Sequence, residues 1–445
     1  MVFAFSVHAV GAKVVNSRES VYLCRAMRVL HVNTSERVGG AAIAASRLVE
    51  ALNRAGVEAR LLVRDRQSGS PHTVTLAPRW RLRLAFLWER LRIWVANGCS
   101  RDGLWSVDIA CAGADVTRTA EFREADIIHF HWVNQGLLSM HQLECILRSG
   151  KPVVWTMHDM WPCTAICHHA RDCKAFGTHC HHCPQLLRPS ARDLSWQLFE
   201  AKRRAYAKGA ITFVGCSRWM AGEARKSALL EGHGVASIPN TCDSNIFHPG
   251  VQADARRRLG LPGGKLMLFA CQKVTNVRKG LAELLRALQE PALRPWRGQL
   301  TLVVVGEMAG SVARDIPFPV HVAGYVSSEA DMAALYQGVD VFVTPSWEEN
   351  LPNTIMEAMA CGTPCVGFSV GGIPEMIDHR VNGYVARYRD VADLAEGIAY
   401  VLGDAAHSLS CAAAGKAAAT WNEDAVVQQY MQLYDSLLTQ QHTAS

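Results

Sequence analysis

The amino-acid sequence predicts an α/β protein made of two open, largely parallel sheets, each covered by helices on both faces. Short apolar runs alternate with helical stretches, which is the pattern of strands joined by crossover helices. The alternation begins near residue 28 and starts again after about residue 245. The 445 residues are enough for two or three domains that each bury a core. Because ligands bind beyond the carboxyl ends of strands in such sheets, we expect a site in the cleft between the domains.

The N-terminal domain is expected over residues 27–240. Apolar runs predict strands at 28–33, 57–63, 125–131, 152–158 and 211–217. Apolar side chains three and four residues apart predict a helix over 39–56, and a second helix is expected near 137–148. Residues 1–26 lack the charged start and the long apolar core of a signal peptide, so we expect a poorly ordered extension there.

The C-terminal domain is expected over residues 241–420. The stretch 237–250 is rich in turn-forming residues and is the expected linker. Strands are predicted at 265–272, 300–306, 319–324, 340–346 and 363–368, with helices at 280–290 and 329–339 between them. An amphipathic helix over 422–438 follows, and the segment 421–445 is expected to pack back toward the N-terminal domain.

Composition excludes several classes of protein. With 49% hydrophobic and 19% charged residues the chain is globular rather than disordered. A run of 18 or more apolar residues is absent, so no membrane-spanning helix is predicted. The formal charge of +6 is mild, and the sequence has no nucleic-acid-binding motif. The 15 cysteines are spread over both halves, which suits a reducing cytoplasm.

The segment 346–377 is the most informative part of the sequence. A predicted strand ends before it, Glu349 follows in a loop, and Glu357 lies on a helix that starts near Asn353. Free backbone N–H groups at this helix start can hold a diphosphate. A glutamate one turn into the helix can accept hydrogen bonds from ribose hydroxyls. The pair Gly371-Gly372 predicts a second tight turn near the ligand.

This segment resembles the retaining glycosyltransferases of family 4, which have two Rossmann-like domains in the GT-B arrangement. Their hallmark is two glutamates with seven residues between them, followed by Ala-Met-Ala-x-Gly-x-Pro. Here the matching residues are Glu349, Glu357 and the run 358–364, AMACGTP. The resemblance covers about residues 27–440 and is stronger in the C-terminal half.

Four further places match that family in order along the chain. They are Gly39-Gly40, His158-Asp159, the interdomain segment 238–249 and the helix start Arg278-Lys279-Gly280. The chain departs from the family at Thr241, which replaces a glycine. It also departs at 269–273, where the usual Gly-Arg is missing, so Lys273 or Arg278 is expected to take the role of that arginine.

The resemblance implies a role for each matching residue. His158, Glu349 and Lys279 are assigned to catalysis, with His158 and Glu349 contacting the transferred sugar. Glu357 is expected to grip the ribose. The resemblance assigns donor binding to Gly39, Gly40, Lys273, Arg278, Asn350, Leu351, Pro352, Asn353, Thr354 and Glu357. It also implies front-face attack with retention of configuration, so no protein nucleophile is expected. The sequence has no Asp-x-Asp pair of the kind that holds a divalent ion on the diphosphate, so no catalytic metal ion is expected.

The segment 163–183 is rich in cysteine and histidine. Cys167, Cys173, Cys180 and Cys183 are separated by five, six and two residues, and the last pair has the spacing of a zinc knuckle. We expect a structural zinc ion, with disulfides or buried free thiols as the alternatives. Other candidate ligands in the same segment are Cys163, His168, His169, His179, His181 and His182. The run WTMHDMW with the cysteines and CPQL also resembles a family 4 subgroup that includes colanic-acid and exopolysaccharide transferases.

Residues 79–95 combine arginines with tryptophans and aliphatic side chains. On a helix they would give an apolar body with a cationic rim, formed by Arg79, Arg81, Arg83, Arg90 and Arg92. This composition suits a helix that docks on anionic lipid. Equally, the tryptophans could pack inward, as in an ordinary helix of the N-terminal domain.

The predicted function is transfer of a sugar from a nucleoside diphosphate sugar to a saccharide acceptor, expected to be lipid-linked, in bacterial surface polysaccharide or exopolysaccharide synthesis. The expected location is the cytoplasm, at the inner face of the membrane. The main alternative is a catalytically inactive binding or scaffold protein with the same fold. A GT-B epimerase, a storage-glucan synthase and a zinc-dependent nucleic-acid module are weaker alternatives.

Overall fold

A parallel seven-stranded sheet forms the centre of the N-terminal domain. In this computed structural model the described residues are 27–76, 78–307, 316 and 318–444. The predicted extension 1–26 lies outside them. The strands are β1 (Arg28–Ser35), β2 (Glu58–Asp65), β3 (Thr73–Thr75), β4 (Ile127–Phe130), β5 (Val153–Met157), β6 (Ile211–Gly215) and β7 (Gly234–Ser237). Their order is β3-β2-β1-β4-β5-β6-β7.

Six helices belong to the described part of this domain. They are α1 (Gly40–Arg54), α2 (Arg79–Ala96), α3 (Ala120–Glu124), α4 (Met140–Leu147), α5 (Leu194–Tyr206) and α6 (Arg218–Arg225), with 3-10 turns at Val116–Arg118, Trp161–Cys163 and Ala175–Gly177. The predicted strands and helices are confirmed to within a few residues. Strands β3 and β7 were missed because they are short and carry few apolar side chains.

A parallel six-stranded sheet forms the centre of the C-terminal domain. The strands are β8 (Lys265–Lys273), β9 (Leu300–Glu307), β10 (Val320–Gly324), β11 (Val341–Thr344), β12 (Cys365–Phe368) and β13 (Gly383–Ala386), in the order β10-β9-β8-β11-β12-β13. The surrounding helices are α7 (Gln252–Leu259), α8 (Leu281–Ala287), α9 (Glu329–Gly338), α10 (Asn353–Ala360), α11 (Ile373–Met376), α12 (Val391–Leu402) and α13 (Ala406–Thr420), with 3-10 turns at Val277–Lys279 and Pro291–Trp296. The two-domain parallel α/β architecture predicted from the sequence is confirmed.

The C-terminal helix α14 (Glu423–Ala444) crosses back onto the N-terminal sheet. Its Val426 and Tyr430 join the hydrophobic core formed by α1 and the N-terminal strands. The Tyr434 hydroxyl lies 2.7 Å from Nδ1 of His129, and the Tyr430 hydroxyl lies 2.9 Å from the Thr156 hydroxyl. One helix at the end of the chain therefore fastens the two domains together on the side of α1.

In the described part of the chain, no helix is both long enough and apolar enough to cross a membrane.

Candidate active site

The two glutamates of the sequence motif lie beyond the carboxyl end of β11. A loop carries Glu349, and α10 begins at Asn353 with Glu357 one turn in. The turn Gly371-Gly372 packs against this loop: Gly371 has a φ of +57°, and a Cβ atom there would lie 1.7 Å from the carbonyl oxygen of Glu349. Only glycine fits this position, so the turn fixes the backbone that presents Glu349.

Glu349 forms an ion pair with Lys279, whose Nζ lies 2.5 Å from Oε1. Burial alone would lower the pKa of Lys279, but the charge and hydrogen bond of Glu349 outweigh burial and raise it. Arg278 lies nearby, with its Nη1 3.4 Å from Oε2 of Glu348. Lys273, by contrast, is exposed at the end of β8. Of the predicted cations, the structure thus pairs Lys279 and Arg278 with the acidic loop.

Glu357 is buried and meets an arginine from the other domain. Nη2 of Arg47, on α1, lies 2.8 Å from Oε1 of Glu357 and 2.7 Å from Oε1 of Glu329. The Tyr336 hydroxyl donates to Oε2 of Glu357 at 3.2 Å. Burial raises the pKa of Glu357, and Arg47 opposes that rise. Sequence reasoning missed Arg47, because a single arginine on an amphipathic helix has no motif around it.

Two helix N-termini meet at the centre of the cleft. Neither α1 nor α10 has a side-chain cap at its start. Nδ2 of Asn353 donates to the carbonyl oxygen of Gly40 at 3.0 Å, and its Oδ1 accepts from Asn240. Gly39 has a φ of +92°, and a Cβ atom there would find no atom within 4 Å. Uncapped N–H groups at the positive ends of two helix dipoles favour an anion between them.

The other residues predicted from the 350–354 stretch have mixed surroundings. Asn350 is buried, and its amide bridges to the main chain of β5 and to Ser217 of the N-terminal domain. Leu351 belongs to the hydrophobic core, and Pro352 is the N-cap of α10. Thr354 lies half-buried in the first turn. Asn350 and Leu351 therefore pack the domains together, and it is the backbone that the helix start offers to a ligand.

His158 ends a chain of hydrogen-bonded imidazoles. Its Nε2 lies 3.0 Å from Nδ1 of His131, and Nε2 of His131 lies 3.0 Å from Nδ1 of His31. The parallel register of β1 and β4 places His31 beside His129, two residues before His131. The sequence identified only His158, because the other three rings come together only when β1, β4 and β5 pair.

Burial keeps these imidazoles neutral. It lowers the pKa of His31 to about 3, and it lowers the pKa of His158 to about 4 although Asp159 opposes that shift. Burial also lowers the pKa of His129 and His131 well below the ordinary value. Each imidazole in the chain can therefore donate from one nitrogen and accept at the other.

Three of these histidines are also close enough to suggest a metal site. Among the described residues, His31, His129 and His131 are the set whose ligand atoms lie within 4.8 Å of one another. However, Nδ1 of His129 lies 2.7 Å from the Tyr434 hydroxyl and Nε2 lies 2.8 Å from the Thr156 hydroxyl. With both nitrogens of His129 engaged, the geometry favours a hydrogen-bonded core over a metal centre.

The loop after β5 is anchored by a histidine held between two carboxylates. Nδ1 of His168 lies 2.7 Å from Asp159, and Nε2 lies 2.7 Å from Asp108. Burial would lower the pKa of His168, but the two carboxylates raise it to about 10. Asp108 also pairs with Arg90, which is buried. Arg90 is therefore not part of the exposed cationic rim predicted for 79–95.

A polar cavity of about 240 Å³ opens between the domains beside Asp159. Trp105 and Trp132 line it from the N-terminal domain, and Arg278 and Glu348 line it from the C-terminal domain. Aromatic faces combined with charged groups suit a small polar ligand with an apolar face.

The four cysteines predicted as zinc ligands lie in the loop between β5 and α5. Cys180 and Cys183 are buried, and Cys167 and Cys173 are half-buried. All described cysteines are free thiols. The fold thus gathers these four thiols into one loop on the N-terminal side of the cleft.

Helix α2 presents an apolar face to solvent, so its tryptophans do not all pack inward. Only Leu82, Glu89, Arg90 and Ile93 of this helix are buried. At about 100° per residue, its exposed apolar side chains fall within an arc of about 100°. They are Trp80, Leu84, Leu87, Trp88, Leu91 and Val95.

Two family models match the chain, one in each half. Residues 38–245 match the family described as Glycosyltransferase Family 4, and residues 264–404 match the family described as Glycosyl transferases group 1. A D-inositol 3-phosphate glycosyltransferase of Arthrobacter sp. is 25% identical over 82% of this chain and 84% of its own length.

Other relatives match a smaller part of their length. The D-inositol 3-phosphate glycosyltransferase of Stackebrandtia nassauensis is 32% identical over 210 residues. The match covers 43% of this chain and 46% of that relative. A GDP-mannose-dependent alpha-mannosyltransferase of Corynebacterium glutamicum is 28% identical over 50% of this chain and 53% of its own length.

Solved structures share the architecture of the whole chain. A sucrose-phosphate synthase from Thermosynechococcus elongatus superposes with a TM-score of 0.64 at 19% identity, over 93% of this chain and 99% of its own. Anabaena HepE in complex with UDP and glucose superposes with a TM-score of 0.60 at 17% identity, over 92% of this chain and 100% of its own. This likeness establishes the GT-B fold.

Proposed function

We propose that this chain is a family 4 glycosyltransferase, as its two family matches and its relatives support, and that it transfers a sugar from a nucleoside diphosphate sugar to a lipid-linked saccharide in bacterial surface polysaccharide or exopolysaccharide synthesis. The observation that carries the proposal is the pair of uncapped helix starts, α1 and α10, that face each other beside the Lys279–Glu349 ion pair. Two positive helix ends and a lysine form a site for a diphosphate.

The donor is expected to span the cleft with its diphosphate between α1 and α10. HepE, which shares the fold, has been crystallised with UDP and with UDP-glucose, and this supports a nucleotide sugar as donor. Glu357 would hold the ribose, as the family motif implies. Oε1 of Glu357 contacts Arg47. Ribose binding there therefore requires either that this ion pair opens or that the Glu357 carboxylate binds Arg47 and the ribose together.

The chemistry we propose leaves the negative charge on the diphosphate. The bond between the anomeric carbon and the phosphate oxygen breaks, the acceptor oxygen bonds to the same face of that carbon, and the acceptor proton passes to the leaving phosphate. Lys279 and the helix N-termini would stabilise the growing charge, the largest expected contribution to the rate. Glu349 is engaged by Lys279, which supports a role in holding the sugar rather than attacking it.

The acceptor is expected to enter from the side of His158. The 240 Å³ cavity next to Asp159 has two tryptophans, and their faces suit the C–H surface of a sugar ring. Its charged groups Arg278 and Glu348 can hydrogen bond to hydroxyls. His158, neutral at pH 7, can orient the transferred sugar between this cavity and the diphosphate site.

A lipid-linked acceptor requires the enzyme to work at a membrane surface, and the exposed face of α2 supports such contact. The apolar arc is flanked by the exposed arginines Arg81, Arg83 and Arg92. An apolar stripe with a cationic border is the composition of an interfacial helix, and anionic lipid is the surface that this charge complements.

Vesicle sedimentation tests this surface. We expect the wild type to bind vesicles containing anionic lipid, with binding weakened by salt and by the double change Trp80→Ser and Trp88→Ser. Tyr325 is an aromatic residue on the other domain whose side chain is 60% exposed. Tyr325→Ser is therefore the matched control and should bind like the wild type. Equal binding by both variants would rule out docking through α2.

Thermal denaturation with nucleoside diphosphates and their sugars tests the donor site. Ligand that binds only the folded state raises the melting temperature, by an amount that corresponds to about 2.7 kcal/mol at one hundred times Kd. We expect a shift with one nucleotide family, together with release of that nucleoside diphosphate when a membrane extract supplies acceptor. Glu357→Gln should reduce the shift. A shift without turnover would instead support the inactive scaffold, and no shift would contradict the diphosphate site.

A further inference from the structure

We propose that Cys167, Cys173, Cys180 and Cys183 bind one structural zinc ion that fixes the loop forming a wall of the interdomain cavity. This inference is independent of the donor and acceptor proposed above. It concerns the loop that joins β5 to α5, and it rests on the mutual position of four thiols, on the groups that surround them and on the shape of the loop.

The four thiols form one cluster, not two separate pairs. Cys167 is close enough to Cys173 and Cys180 to interact with them electrostatically, and Cys180 interacts in the same way with Cys173 and Cys183. Cys183 interacts with Cys167 and Cys173. All six pairwise combinations are therefore represented. Four cysteine sulfurs are the donor set of a closed tetrahedral zinc site.

Hydrogen-bond donors already point at the sulfurs. The backbone N–H of Ala165 donates to the sulfur of Cys180, and the N–H of Gln185 donates to the sulfur of Cys183. Such outer contacts orient metal ligands and offset thiolate charge. Lys202 is fully buried beneath the loop, where it interacts electrostatically with Cys167 and Cys180. Burial lowers the pKa of Lys202 to about 7 and negative charge on Cys167 and Cys180 opposes that shift, so a zinc tetrathiolate would favour its ammonium form.

The other candidate ligands in the loop have different partners. The thiol of Cys163 donates to the carbonyl oxygen of Met160, and His168 lies between two carboxylates. Nε2 of His179 lies 2.9 Å from Glu200, His181 and His182 are exposed, and His169 lines the interdomain cavity. The four cysteines are thus the set that the surroundings favour.

The loop itself has little regular structure to hold its shape. Between β5 and α5 its regular elements are the 3-10 turns Trp161–Cys163 and Ala175–Gly177. Arg171 and His182 have φ values of +53° and +47°, which cost energy for residues with a side chain. Long loops with so little regular structure are uncommon in compact domains, and a metal ion would add a constraint to the anchor that His168 supplies.

Zinc binding would also tighten the cluster. Among the described residues, the sulfurs do not meet the 4.8 Å spacing that the histidine trio satisfies. In a tetrahedral site with Zn–S bonds of about 2.3 Å, the sulfurs are about 3.8 Å apart. Binding would therefore draw the four sulfurs together and order the loop around them.

The ordered loop would shape the cleft. Arg171, His169 and Gln185 all come from the loop and line the 240 Å³ cavity. Arg171 reaches across the cleft to form an ion pair with Glu348 of the C-terminal domain. Zinc is thus assigned a structural role, in which it holds the loop residues that line the interdomain cavity.

Metal analysis of the full-length protein, purified without a histidine tag or chelator, tests the site. We expect about one zinc ion per chain in the wild type and in Cys163→Ser, the matched control in the same loop. Cys173→Ser should lose most of the zinc. Wild-type protein that contains no zinc, and retains none after incubation with Zn²⁺ and gel filtration, would overturn the proposal. So would full zinc content in Cys173→Ser.

Cobalt substitution covers the case in which a cysteine variant fails to fold. Wild-type protein stripped of metal and reloaded with Co²⁺ should show thiolate-to-cobalt charge-transfer bands and the intense visible bands of tetrahedral cobalt. Weak octahedral bands without charge transfer would contradict a four-cysteine site. Neither measurement depends on transferase activity, so both would still test the zinc site if the donor proposal failed.

Discussion

The two walls of the cleft are built from different chemistry. The C-terminal wall is ionic, with the Lys279–Glu349 pair 2.5 Å apart at the carboxyl end of the sheet. On the N-terminal wall, by contrast, the imidazoles of His158, His131 and His31 form a neutral patch, linked by hydrogen bonds of 3.0 Å. Ion pairs create a field for a charged ligand, whereas a buried chain of neutral rings fixes orientation without adding charge.

This difference suits the two ends of the nucleoside diphosphate sugar that we propose as donor. Negative charge grows on the leaving diphosphate, so fixed positive charge is useful on that side. The sugar and the acceptor hydroxyl are neutral, so the neutral imidazole of His158 suits that side of the cleft. The same cleft can therefore stabilise a leaving group on one wall and position a sugar on the other.

The largest expected effect is on the stability of the fold, at Arg47, whose ion pair with Glu357 joins the two walls. Changing Arg47 to alanine would leave Glu357 buried without its cation and Glu329 without a partner. Removing one member of a buried ion pair costs about 3–5 kcal/mol. We expect a loss of that order in the free energy of unfolding, measured by urea denaturation.

Arg54 on the same helix provides the control for Arg47. It is 50% exposed and pairs with Glu423 at the surface. Exposed ion pairs contribute about 0–1 kcal/mol, so Arg54→Ala should barely change the urea midpoint. Similar losses for both variants would mean that helix α1, rather than the buried contact with Glu357, is responsible.

The next effect is on catalysis, at Lys279. Removing one group that stabilises transition-state charge typically lowers kcat by about 10²–10³-fold. We expect a fall of that size for Lys279→Ala, measured as release of nucleoside diphosphate in the presence of acceptor. Lys273→Ala is the control, because Lys273 is exposed at the end of β8. A larger loss at Lys273 would move the role of the family's arginine to that residue.

The ionic wall could be predicted from the sequence, and the neutral wall could not. Glu349, Asn353 and Glu357 lie within nine consecutive residues, so one loop and one helix start determine their spacing. His31 and His131 lie 100 residues apart and meet only through the pairing of β1 with β4. Local spacing is visible in a sequence, whereas contacts made by sheet topology are not.

Other differences between sequence and structure have the same origin. The apolar alternation predicted both sheets, because each strand carries its own signal. It did not show that Arg90 turns inward to Asp108, or that Asn350 bonds across the domains to Ser217. These contacts depend on partners far along the chain, and polar residues at such positions look like ordinary surface residues.

The smallest expected effect is a pH dependence of stability that comes from the neutral wall. Burial lowers the pKa of His158 from 6.5 to about 4, so the unfolded chain takes up a proton first as the pH falls. The stability linked to this ring is complete above pH 6.5 and is lost between pH 6.5 and pH 4. From pH 7 to pH 5 the loss is about 2 kcal/mol for one such histidine.

We expect His158→Asn to reduce the fall in unfolding free energy over this range by that amount, whereas His141→Asn, at an exposed ring, should leave it unchanged. An unchanged slope in His158→Asn would mean that this ring takes up its proton at the same pH in the folded and unfolded chain, and burial would then not be what keeps it neutral.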